Sequence, residues 1–246
     1  MQTARKRRIL AELGVDIYVR RGDGAAQVPE KEPPVTHPAC AREFAPAVPQ
    51  GFAAGLEWDP LRAAAATCTR CALHAGRTQA VFGVGRPDAR WMIIGEAPGA
   101  EEDRRGEPFV GRAGQLLDSM LRALGPGRER VYIANVLKCR PPANRDPRPE
   151  EAASCRPFLD RQIELLAPTL IVAVGRIAAQ TLLETDQPLG KLRGRIHALG
   201  ARGWPVIVTY HPAYLLRSPA EKRKAWQDLL FARRTFRELD PARGAT

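Results

Sequence analysis

The chain reads as short apolar runs separated by longer stretches in which apolar residues recur every three or four positions. Residues 91–94, 131–137, 170–174 and 206–209 are almost wholly apolar over the length of a strand, the pattern of strands buried on both faces. Another strand-like run, 80–84, precedes the first of these across a Gly-Arg-Pro-Asp turn. The stretches 115–124, 150–166, 177–184 and about 220–239 carry the amphipathic spacing of helices with one face on a core. Asp59 and Pro60 supply a helix cap followed by proline at the first helical position, and the run to Cys68 continues that helix. Strand then helix, repeated, predicts a parallel sheet covered on both faces and wound with right-handed crossovers. The expected architecture is a three-layer α/β/α fold around a central, mostly parallel sheet of about four strands.

Toward the N-terminus the pattern weakens. Residues 4–13 fit a short basic helix halted by Gly14 and 15–19 fit a strand, so 1–21 is expected as a small basic segment. Six prolines and four glycines across 22–58 argue for a linker without regular structure, which leaves 59–246 as the folded domain. His37 and Cys40 fall in that linker and are expected to be passive. The basic segment suits docking to a protein partner or an extra nucleic-acid contact, and its residues favour neither. Charged residues or glycine interrupt even the apolar run 169–183, so no span of a membrane is expected. The basic start leads into no signal-peptide core, and a cytoplasmic protein acting as a monomer is expected.

Charge and cysteine content narrow the chemistry. The chain sets 38 basic residues against 27 acidic ones, for a net charge of +11 and a sequence pI near 10.0. That surplus suits a polyanionic partner, most simply nucleic acid. Five cysteines without a secretory signal point away from disulfides and toward metal or passive thiols. Cys68 and Cys71 form a C-x-x-C pair, Cys139 and Cys155 follow much later, and Cys40 stands apart. Four thiolates suit either a tetrahedral zinc site or an iron-sulfur cluster, and spacing does not choose between them.

The stretch 93–114, IIGEAPGAEEDRRGEPFVGRAG, joins a strand to a helix through a loop rich in carboxylates. Loops after parallel strands lie at the carboxyl edge of the sheet, where ligands bind. Glu96, Glu101, Glu102 and Asp103 would repel a phosphate there, and the loop has no lysine of the phosphate-cradling kind, so acid-base work on a neutral group fits better. Glu96, Asn135, Gly175 and His211 each stand at or just past the end of a predicted strand. The fold therefore brings residues far apart in sequence to one site.

Taken in order, C-x-x-C at Cys68, GEAPGAEED at Gly95, PFVGRAG at Pro108, YIANVLKCRPP at Tyr132, Cys155 and HPAYLLR at His211 resemble the family 4 uracil-DNA glycosylases. These are the iron-sulfur branch of the uracil-DNA glycosylase superfamily, and the resemblance covers 59–239. It implies a DNA-repair enzyme that releases uracil from uracil-containing DNA and leaves an abasic site, and a [4Fe-4S] cluster on Cys68, Cys71, Cys139 and Cys155. It assigns the attacking water to Glu96, base stacking to Phe109, and the uracil edge to Asn135. His211 and the backbone of Ala97, Pro98 and Gly99 are expected to stabilise charge on the departing base, with Glu102 near uracil C5. Leu215 and Leu216 resemble the wedge that fills the gap left by a rotated nucleotide, and Arg217 a phosphate contact. Relatives that trap uracil-DNA covalently carry a histidine in place of the third cysteine and a histidine-containing insertion after it. Cys139 is present here and 140–154 holds no histidine, so ordinary turnover is expected. The competing expectation is a non-catalytic iron-sulfur module that binds nucleic acid.

Overall fold

A computed structural model describes residues 51–241. The basic segment at 1–21 and the linker at 22–50, with His37 and Cys40, lie outside the described residues. Six strands, β1 (Val84–Gly85), β2 (Trp91–Gly95), β3 (Val131–Asn135), β4 (Leu170–Val174), β5 (Ile196–Leu199) and β6 (Trp204–Thr209), make one sheet in the order β1-β3-β2-β4-β6-β5. The central strands β3, β2, β4 and β6 run parallel, and β1 and β5 are antiparallel edges. The sheet of about four expected strands is this parallel centre. Of the expected strand 80–84 only Val84 is paired, in β1 with Gly85, and the further edge strand β5 has four residues, too few to leave a clear alternation in the sequence.

The principal helices are α1 (Trp58–Ala66), α2 (Ala100–Arg105), α3 (Arg112–Leu124), α4 (Pro149–Leu166), α5 (Arg176–Leu183), α6 (Leu189–Leu192), α7 (Pro212–Arg217) and α8 (Lys222–Leu239). Every residue of β2, β3 and β4 is buried. The pleat divides their side chains between two cores. Met92, Ile94, Ile171, Ala173 and Val208 meet Leu159 and Ile163 of α4 and Leu182 of α5. Trp91, Ile93, Val131, Val172 and Ile207 meet Leu117 and Leu121 of α3 and Leu229 and Phe236 of α8. Each fully buried aliphatic side chain of this kind contributes about 1.5–3 kcal/mol. Packing on both faces therefore holds the strands more than their own propensity does.

A third core gathers Ala53, Leu61, Leu73, Phe82, Leu137 and Phe158 with Cys139 and Cys155. Order begins before the expected boundary: in 51–57, assigned to the linker from its glycines, Ala53 is buried and the Phe52 ring meets Phe158 at 4.9 Å. Helix α1 starts at Trp58 with Glu57 as its cap, so Asp59 sits in the first turn, where its charge favours the helix N-terminus. Among the described residues no helix is long and apolar enough to cross a membrane.

Candidate active site

Strand β2 ends at a glycine because nothing larger fits. A Cβ on Gly95 would lie 2.4 Å from Asn135 Oδ1 and 2.6 Å from Phe109 Cζ. Beyond Glu96 the chain turns through Pro98 to Gly99, the cap of α2, whose N–H donates to Glu102 Oε2 at 3.1 Å. Glu102 Oε1 accepts from the N–H groups of Val110 and Gly111, both at 2.9 Å. One carboxylate thus ties the acidic loop to the segment that carries Phe109.

Phe109 is buried and holds a positive φ of 55°, a conformation that costs a non-glycine residue about 1–3 kcal/mol. The guanidinium of Arg128 offsets this by donating to Pro108 O at 2.6 Å and Phe109 O at 3.1 Å while pairing with Asp118 at 3.0 Å. Gly114 completes the grip, since a Cβ there would fall 1.8 Å from Phe109 O. The ring so fixed lies 5.6 Å from that of His211.

Phe109 and His211 help line a cavity of about 430 Å³ together with Glu96 and Asn135. Asn135 is buried, yet its Oδ1 has no hydrogen-bond partner among the described residues. An acceptor left so costs about 1–3 kcal/mol, so the amide is set to receive a donor from whatever enters. Its backbone is braced: Lys138 Nζ donates to Asn135 O at 2.8 Å and to Gln162 Oε1 at 2.7 Å. Gln162 Nε2 in turn donates to Phe82 O at 2.9 Å and to the Tyr132 hydroxyl at 3.1 Å.

His211 caps α7, its Nδ1 accepting from the Ala213 N–H at 3.1 Å. A neutral imidazole that accepts at Nδ1 carries its proton on Nε2. Burial, helped by Arg217 and opposed by Glu102, pushes the pKa of His211 down to about 4, so the ring is a neutral donor near physiological pH. Gly175, at a φ of +102°, leaves room for it, since a Cβ there would stand 2.9 Å from His211 Cβ. Glu96 moves the other way. Burial, reinforced by Asp146 and opposed by Arg176, pushes its pKa up to about 7, where a carboxylate is a competent base at neutral pH. Asp146 and Arg176 are themselves paired at 2.8 Å.

The expected residues Glu96, Ala97, Pro98, Gly99, Glu102, Phe109, Asn135, His211 and Arg217 all line this one cavity. Two expectations change. Proline has no N–H and that of Gly99 is engaged by Glu102, so Ala97 is the remaining backbone donor of the turn. Leu215, expected beside Leu216 at the DNA, is 1% exposed against 37% for its neighbour, because α7 turns the first into the core. Asn144, Arg145, Asp146 and Tyr214 also line the cavity and were not foreseen. The first three belong to the proline-rich loop after β3, and their position at the ligand edge was the available signal.

Comparison with known proteins decides the family. The model of the uracil DNA glycosylase superfamily matches residues 82–230. The chain belongs to this superfamily. A type-4 uracil-DNA glycosylase of Thermotoga maritima is 52% identical over 153 residues, covering 61% of this chain and 79% of the relative. One from Pyrobaculum aerophilum is 45% identical over 184 residues, covering 72% of this chain and 94% of its own. A type-5 uracil-DNA glycosylase of Thermus thermophilus is 37% identical over 118 residues, 42% of this chain and 53% of the relative. The superfamily span contains the cavity from Glu96 to Arg217 and also Cys139 and Cys155, while Cys68 and Cys71 precede it.

In this superfamily member the Cys68–Cys71 pair, Cys139 and Cys155 come from three places in the chain to line one small cavity. Arg77 donates to Cys139 Sγ at 2.9 Å and the Lys138 N–H to Cys155 Sγ at 3.3 Å. Burial pushes the Cys139 thiol up and that of Cys155 to about 11. Among the described residues no three His, Cys, Asp or Glu side chains converge on a single ion.

Proposed function

We propose that this protein is a monofunctional uracil-DNA glycosylase, which hydrolyses the N-glycosidic bond of deoxyuridine in DNA and leaves an abasic site. The orphan Oδ1 of Asn135 beside the Phe109 ring is the observation that carries this reading. A base stacked in a duplex cannot reach an enclosed cavity, so the nucleotide rotates out to enter it. Phe109 then supports the face of the base. Asn135 Oδ1 accepts from uracil N3–H and its amide nitrogen donates to O4. Cytosine offers an acceptor at N3 and a donor at N4, which sets like groups against like and leaves the buried amide unpaired.

Cleavage breaks the C1′–N1 bond, and its electron pair leaves with uracil as negative charge shared with O2. His211 Nε2–H and the Ala97 N–H are the donors for that charge. Glu96 takes a proton from the attacking water, whose oxygen bonds to C1′, and its carboxylate opposes the positive charge on the sugar. The uracil anion is protonated by solvent after release. Glu102 and Arg128 act through Phe109, which they hold. Outside the cavity, exposed Leu216 suits the wedge and Arg217 a phosphate, while Leu215 holds α7 to the core.

The cysteine quartet suits a [4Fe-4S] cluster on Cys68, Cys71, Cys139 and Cys155. Four thiols that line one cavity are the donor set such a cluster takes, and the similarity to type-4 uracil-DNA glycosylases supports it over zinc. Bound there, the cluster would cross-link the segment after α1, the segment after β3 and α4, and would supply no electron to a hydrolysis that needs none. Cys139→Ser is expected to lose brown colour and soluble yield together, and a colourless, stable, active variant would overturn the assignment.

The test of function is release of free base from a uracil-containing oligonucleotide, beside thymine and cytosine controls. Release from uracil alone is expected, with Asn135→Ala losing most turnover while still binding abasic DNA. Tight DNA binding without release would favour the non-catalytic module.

A further inference from the structure

A second cavity, of about 500 Å³, opens at the opposite edge of the sheet. It lies where the parallel strands begin, with Arg90 and Trp91 at the start of β2 and Arg130 just before β3. Strand β2 separates it from Glu96 by about 13 Å or more at ~3.3 Å per residue. DNA engaged at the carboxyl edge therefore does not account for it.

Its floor is apolar: Trp91 and Phe236 meet there with ring centroids 4.9 Å apart, beside Leu124. Five guanidiniums stand around that floor, those of Arg86, Arg90, Arg130, Arg233 and Arg237. Two of them are neutralised, Arg86 by Asp88 at 2.8 Å and Arg90 by Asp240 at 3.3 Å. Arg130 donates to the neutral carbonyls of Pro126 at 3.0 Å and Gly125 at 3.4 Å, and Arg233 to Leu124 O at 3.5 Å. Arg237, exposed on α8, makes no ion pair among the described residues. Among the described residues no carboxylate pairs with these last three, so three positive charges converge on one opening that Asp88 also lines, and their mutual repulsion is relieved by an anionic ligand.

We propose that this cavity binds an acidic peptide segment, seating one large apolar side chain on the Trp91–Phe236 floor and its flanking carboxylates on Arg130, Arg233 and Arg237. Guanidinium forks match carboxylates two bonds at a time, and their stems extend the apolar wall. The volume suits one aromatic side chain with its neighbouring backbone. Guanidiniums also take phosphates and base edges, but Trp91 and Phe236 pack on each other and are 5% and 9% exposed, which leaves little open ring face for a base to stack on. The occupant favoured is therefore a protein, held at the pole of the enzyme turned away from the lesion.

The full-length, cluster-loaded protein tests this with a fluorescein-labelled hexapeptide of five glutamates around one phenylalanine, followed by anisotropy at low salt. Saturable binding is expected, weakened about tenfold or more by the double change Arg233→Glu and Arg237→Glu, as reversed charge contacts require. Replacing the phenylalanine of the peptide by alanine should weaken it comparably, and uracil release by the variant should stay at the level of the parent. If the double variant does not fold, Arg237→Glu alone, at an exposed position, gives the same reading. Absence of saturable binding, indifference to the arginine changes, or equal binding of the alanine peptide would each overturn the proposal. So would competition in which a thymidine hexanucleotide displaces the labelled peptide better than the unlabelled peptide does.

Discussion

Lys138 Nζ lies 2.8 Å from the backbone oxygen of Asn135, and the N–H of the same residue reaches Cys155 Sγ at 3.3 Å. One residue therefore joins the cysteine cavity to the peptide that holds the orphan amide. Burial brings the Lys138 ammonium down to about 8, against the upward pull of Cys155 and Cys139, so it still carries its proton at neutral pH.

Lys138→Met keeps the volume and removes the donor. Asn135 O and Gln162 Oε1 then lose a partner in a buried place, at a cost of about 2–5 kcal/mol in total. Urea unfolding should record that loss. Uracil release should fall and cytosine rejection loosen, because the amide is no longer held in one direction. Unchanged stability would mean that the ammonium is not the brace.

The raised pKa of Glu96 gives a pH profile with a definite sign. The base form exists above its pKa of about 7, so turnover should fall about tenfold per pH unit below that value and level off above it. His211, already neutral down to about 4, adds no second limb in that window. Stability follows the opposite course. Between the ordinary 4.5 and the folded 7, the folded state binds more protons than the unfolded chain, so stability declines as pH rises through that interval. Glu96→Gln removes this titration. It should be more stable than the parent by about 1–2 kcal/mol near pH ~8, while nearly inactive. A variant no more stable than the parent there would show that Glu96 is not held at a cost.

Gly95→Ala places a methyl group 2.4 Å from Asn135 Oδ1 and 2.6 Å from Phe109 Cζ, and both side chains line the cavity. One of them must move. Misplacement of a binding group by about 1 Å costs on the order of 100-fold, so turnover should drop by about that factor. The far-ultraviolet circular dichroism should stay as it was, since β2 keeps its pairing. Loss of the folded spectrum along with activity would place the defect in the sheet and not in the site.

How much of this site could be read from the sequence follows from what each residue depends on. The strands were legible because 91–94 and 170–174 are apolar throughout, and two-sided burial leaves that pattern. Glu96, Asn135 and His211 were legible as strand ends, which a parallel sheet brings to one edge. Leu215 and Leu216 were not separable, since a six-residue helix gives too short a period to say which of two adjacent leucines faces inward. Engagement of the Gly99 N–H by Glu102 and the hold of Arg128 on two carbonyls depend on exact placement between segments, for which the chain carries no spacing signal. The run 80–84 read as a strand, yet only Val84 of it pairs, in β1, and β5 is too brief to register.

Arg128 offers the clearest separation of positioning from mere support. Its guanidinium grips Pro108 O and Phe109 O and holds a phenylalanine whose φ of 55° is unfavourable by itself. Arg128→Ala should let that backbone relax and swing the ring, lowering turnover about 10–100-fold. The stability loss should be small, about 1–2 kcal/mol, because the ion pair with Asp118 is partly exposed. Arg128→Lys, with one ammonium in place of a fork, should recover only part of the activity. The decisive comparison is with Phe109→Ala. If Arg128 acts through the ring, removing the guanidinium in that background should cost little more, and the two changes should be strongly non-additive. Additive losses would mean that Arg128 serves the fold alone and that the ring keeps its place without it.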